Sequence, residues 1–129
     1  MTANDDRQLK RTIPYGYASL VWNPRTCNLV VTLSLTGLEA ECSYSAHIRQ
    51  GSCADTGPVV HFLGDAVADR YGNAFATTTI AGVVTGIPAS GWCIFVYGDA
   101  DLETPIYSGN IANPSPNAHH TQIIRVQLA

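Results

Sequence analysis

The residues best equipped for chemistry lie between Tyr44 and Cys53, where His47 and Arg49 alternate with Ala46 and Ile48 until glycine and cysteine break the run at Gly51-Ser52-Cys53. Alternation of this kind puts both polar side chains on one face of a strand and the apolar pair on the other. An imidazole that converges with other donors can hold a metal. The face therefore either keeps a metal chemistry, with His47 joined by His61 or a carboxylate, or carries a plain outward histidine bonded to Tyr97 or to solvent. The second reading is the favoured one.

Two other clusters bear on metals. Asp99, Asp101 and Glu103 are alternate carboxylates in an acidic run, an oxygen-donor pattern that could converge on calcium, although the run lacks the glycine-bearing spacing of a calcium-hand loop. It reads more simply as a solvated acidic loop. His119 and His120 are adjacent, so in a strand they point to opposite faces and chelate poorly as a pair. No GxSxG nucleophile elbow is present, and a hydrolytic triad has no sequence signature here. Cys27, Cys42, Cys53 and Cys93 include no CxxC and fit no zinc ribbon or finger.

The whole chain limits the classes of function. Its 129 residues suit one domain with one core. Charged residues make up only 13%, against about 25% in ordinary soluble domains, while 46% are apolar. A net charge of −3, with Lys10-Arg11 the only basic pair, excludes a phosphate-binding surface of the nucleic-acid kind. No apolar run approaches membrane-spanning length, so no membrane insertion is expected. The start, Met-Thr-Ala-Asn-Asp-Asp, has neither the basic nor the apolar part of a signal peptide. That leaves either a protein that is not exported or one whose signal was removed ahead of Met1. Four cysteines beside a single methionine favour an oxidised, extracellular domain.

The elements that must position these residues are short strands. Residues 1–13 read as a polar arm, flexible or ordered by a partner, followed by a single domain over 14–129. Tyr17–Trp22 ends at the Asn23-Pro24 turn. Asn28–Leu35 alternates so that Leu29, Val31, Leu33 and Leu35 line a core face. Further strands are expected over Tyr44–Arg49, Pro58–Leu63, Ala74–Val84, Trp92–Tyr97, Ile106–Ile111 and Gln122–Leu128, with Gly- and Pro-bearing breaks between them. No segment has sustained helical periodicity. The pattern predicts an all-β sandwich or flattened barrel of about seven or eight strands.

In their order and spacing, Leu33-Ser34-Leu35-Thr36-Gly37-Leu38, Ala46-His47-Ile48-Arg49-Gln50-Gly51, Gly57-Pro58-Val59-Val60, Val96-Tyr97 and Ser108-Gly109-Asn110-Ile111 resemble the chordin-type (CHRD) domain. That domain is similar to the Greek-key sandwich of copper/zinc superoxide dismutase, whose GD…AD..G.A run is echoed by Gly64-Asp65, Ala68-Asp69, Gly72 and Ala74. The resemblance covers roughly residues 17–112 and implies the dismutase-like Greek-key fold.

It also implies where a metal site would stand, and the chain departs from it there. The copper-ligand strand of the dismutases aligns two histidines with His47 and Arg49, and a guanidinium has no lone pair to give a metal. A third histidine is replaced by Tyr97, so His47, Arg49 and Tyr97 mark a former metal face. Only His61 and Asp65 imitate zinc ligands, one residue off the expected His-x-x-Asp spacing. Ser108 replaces the cysteine of the family's own disulfide. The resemblance further implies that the strands of Arg49 and Tyr97 are antiparallel neighbours with 49 opposite 97. Cys53 then lies opposite Cys93, and a bridge between them is expected. Cys27 and Cys42 fall at opposite ends, as buried thiols or as partners in bridges between chains.

Chordin-type domains are not enzymes. The expectation is a non-enzymatic extracellular module, without a cofactor, that binds another extracellular protein or assembles with itself into an oligomer or fibre through edge strands and the N-terminal arm. The alternative is a metal-binding protein or degenerate dismutase.

Overall fold

The computed structural model describes residues 15–98, 104–113 and 121–129. Among these there are nine strands and no helix: β1 (Tyr15–Asn23), β2 (Asn28–Thr36), β3 (Ser43–Ser52), β4 (Asp55–Phe62), β5 (Ala66–Val67), β6 (Ala74–Ile80), β7 (Trp92–Gly98), β8 (Pro105–Ile111) and β9 (Gln122–Leu128). One sheet has the order β6-β2-β1-β9 and the other β4-β3-β7-β8, with the two-residue β5 beside β3. Every pairing is antiparallel. Neighbours distant in sequence, β1 with β9, β2 with β6 and β3 with β7, make this the expected Greek-key sandwich. The strand beyond the expected seven or eight is β5.

Period-two alternation builds the core. Leu29, Val31, Leu33 and Leu35 of β2 face Ala18, Leu20 and Trp22 of β1 and, across the sandwich, Ala46, Ile48, Ile94 and Val96. In β7 the alternation gives way to burial, with Trp92, Cys93, Ile94, Val96 and Tyr97 all buried. Gly109 permits close approach of the sheets on one side. A Cβ there would come within 2.6 Å of Val126 Cγ1. Nearby, Ser108 of β8 and Ala129, just past β9, exchange backbone hydrogen bonds of 3.0 and 3.1 Å, which tie the two sheets at that point.

The strand expected over Ala74–Val84 ends at Ile80. Beyond it Gly82 takes a φ of 77°, and Val83 turns inward. Its N–H donates to Cys27 O at 2.8 Å, and its carbonyl accepts the indole N–H of Trp22 at 2.6 Å. Val83 thus contributes a plug at one end of the core, and Val84 is left exposed, rather than the pair adding two more strand residues.

The expected register of β3 against β7 is corrected. Arg49 stands opposite Cys93, and it is Ser45 that stands opposite Tyr97, a displacement of four residues along β7. The Cys53–Cys93 disulfide forms all the same, with its Cα atoms 5.0 Å apart. The reason is a bend. The β3–β4 pairing is irregular between Arg49 and Gly51, Gly51 has a φ of 84°, and its N–H donates to Gly91 O at 3.1 Å. The turn then folds back over the outward face of β7, where Cys53 N–H donates to Asn110 Oδ1 at 2.8 Å. Cys53 therefore reaches Cys93 from above rather than from across the ladder. Cys27 and Cys42 are half-buried thiols. The 1–13 arm lies outside the described residues.

Candidate functional site

The residues with chemical potential gather on the outward face of the second sheet. The pairing sets His47 beside Phe62 of β4 and Phe95 of β7. Both phenylalanine rings meet the imidazole edge-on, with centroids 6.2 and 6.1 Å away. Tyr97 lies 5.1 Å from it in a tilted contact. Two residues along β3, Arg49 projects from the same face. Its Nε–H donates to His47 Nε2 at 3.3 Å, and an Nη1–H donates to Gly57 O at 3.2 Å.

These contacts decide the state of the imidazole. A nitrogen that accepts a hydrogen bond carries no proton, so His47 is neutral with its proton on Nδ1. Burial first, and the neighbouring Arg49 charge second, lower its pKa from 6.5. The lone pair that would bind a metal is engaged by a cation. His47, Arg49 and Tyr97 therefore share a face, as the alternation implied, and form a ring cluster locked by a guanidinium.

His61 is elsewhere. It pairs with the inward Ile48, meets Trp92 edge-on at 5.3 Å, and its pKa is lowered by burial. It lines an open groove of about 430 Å³ with Gln50, Val83, Gly86 and Trp92, on the other side of the sheet from His47. Asp65 is exposed in the link between β4 and β5. The structure does not bring His47, His61 and Asp65 together. Among the described residues no group of three or more His, Cys, Asp or Glu is placed to hold a metal ion. Asp99, Asp101, Glu103, His119 and His120 lie outside the described residues.

Phe62 and Phe95 join the cluster without having been singled out from the sequence. For Phe95 a signal existed, because it lies two residues from Tyr97 and so shares its face. For Phe62 there was none, since the bulges between β3 and β4 break the period. The bridge Cys53–Cys93 points to an oxidising environment. No helix among the described residues is long and apolar enough to cross a membrane. No protein-family model and no curated protein matches the chain.

Proposed function

We propose that this protein is a non-enzymatic, extracellular β-sandwich module that acts by assembling with itself and binding other proteins. The observation that carries this reading is the β6 edge. Its sequence, Ala74-Phe75-Ala76-Thr77-Thr78-Thr79-Ile80, has high β propensity, no charge and no proline, and its register with β2 is unbroken. Such segments, when open, pair with further strands.

The other edges are protected. On β4 stand Pro58 and Asp55, and its pairing with β3 shifts twice, while Ser108 of β8 exchanges backbone bonds with Ala129 just past β9. On β6, Phe75 is 70% exposed. Antiparallel pairing of β6 with its copy about Thr77 would set Phe75 opposite Thr79 of the second copy and join two four-stranded sheets into one of eight. The low content of charge, the disulfide and the chordin-type resemblance support the same reading.

Sedimentation velocity over a range of concentrations tests it. The protein should associate, and Thr77→Lys or Thr79→Lys, on outward-facing positions, should leave a folded monomer. A version lacking residues 1–13 shows what the arm adds. A wild-type protein that stays monomeric at every concentration would sink the proposal.

A further inference from the structure

The outward face of the second sheet holds a cation without an acid. Of the four described cationic side chains, Arg25, Arg70 and Arg125 are exposed and Arg49 alone is half-buried. Its bonds go to His47 and Gly57, and among the described residues no Asp or Glu is paired with it. The outward neighbours on the flanking strands, Val59 and Phe62 of β4 and Cys93 and Phe95 of β7, carry no charge. A guanidinium has five N–H donors, so about three remain on Arg49 after these bonds. Withdrawing a cation from water without a counter-charge is unfavourable, and a carboxylate received in the fork relieves it.

On the same face, across the ladder from the His47 that Arg49 bonds, Phe62 stands clear of the sheet with 77% of its surface exposed. Sites for small molecules enclose most of their ligand. A ring that projects this far is instead met by a surface that comes to it, and arginine with aromatic anchors is the composition of protein interfaces.

We propose that this face docks an acidic side chain of a protein partner, with the carboxylate on Arg49 and an adjoining apolar residue on Phe62. The docking does not depend on β6, which belongs to the other sheet.

The test is an NMR titration in the Thr77→Lys background, so that pairing through β6 does not contribute. The probes are acetyl-Glu-Phe-amide and its neutral counterpart acetyl-Gln-Phe-amide. The glutamate peptide should shift Arg49 Nε–H and the rings of His47, Phe62 and Phe95 saturably, and the glutamine peptide should bind roughly tenfold more weakly. Arg49→Gln should abolish the difference between the peptides, and Arg49→Lys, which keeps the charge but loses the fork, should retain part of it. Phe62→Ala, at an exposed position, should weaken both peptides alike. Equal affinity for the two peptides, or shifts elsewhere only, would overturn the proposal. So would concentration-dependent shifts of these residues without peptide, which would assign the face to a contact between copies.

Discussion

Serine in place of Cys53 opens the one cross-link among the described residues and tests how far the turn over β7 supports the fold. The bridge joins residues separated by 40 positions, and closing a loop of that length removes entropy from the unfolded chain worth about 4 kcal/mol at 25 °C. Cys53 is the better partner to change because it is half-buried, whereas Cys93 is 0% exposed and a serine there would add a buried hydroxyl. Serine also leaves the backbone N–H of residue 53 free to keep its 2.8 Å bond to Asn110. For a domain of this size each kcal/mol moves Tm by about 3–5 °C, so Cys53→Ser should melt about 10–20 °C below the wild type. Circular dichroism melts of the variant, the oxidised protein and the protein in reductant would measure it, and the last should coincide with the variant. If mass spectrometry finds the bridge closed and the variant still melts within about 3 °C of the wild type, the unfolded chain is not being restrained as argued.

Three further outcomes follow from polar groups that are buried or partly buried. His47 and His61 both have pKa values lowered from 6.5, so as pH falls the unfolded chain takes up protons before the folded one. Their contribution to stability is complete above about pH 6.5 and declines as pH falls toward the folded pKa values. His47→Gln with His61→Gln should flatten denaturation midpoints across that window. Arg49→Gln should raise the NMR titration midpoint of His47 and leave that of His61, and an unmoved His47 would contradict the electrostatic argument. Trp22→Phe removes the 2.6 Å bond to Val83 O and leaves a buried carbonyl without that donor, at about 1–3 kcal/mol. Amide exchange over residues 81–86 should accelerate, and unchanged exchange there would show that the Val83 plug is held by packing alone.

Side-chain faces were more legible in the sequence than strand register, for a physical reason. Alternation constrains only parity, so the four-residue displacement of β3 against β7 leaves every residue on its expected face. Ile48 stays in the core, and His47, Arg49 and Tyr97 stay together outside. The same displacement would have separated Cys53 from Cys93 had the ladder run straight, and the bend at Gly51 restores the contact. No period encodes that bend. The end of β6 was illegible for a related reason, because Val83 and Val84 look like strand residues until Gly82 reverses the chain. Phe62 was hidden by the bulges that precede it, and it is the most exposed ring of the cluster.

The β6 edge and the Phe62 face belong to different sheets, yet the chain between them is short. Phe62 ends β4, Leu63 is buried, and Gly64 N–H donates to Thr78 Oγ1 at 2.8 Å. Thr78 points inward, and Thr77 and Thr79 point outward, by the alternation of β6. A lysine at 78 would therefore cut the tie to Gly64, shift Leu63 and disturb Phe62, so that loss of assembly and loss of docking could not be told apart. At 77 or 79 the new ammonium lies on the far side of the strand, the Gly64 bond survives, and only the open edge is charged. The parity of β6 is thus what lets assembly and docking be separated by single substitutions, and it is the reason the peptide titration belongs in the Thr77→Lys protein.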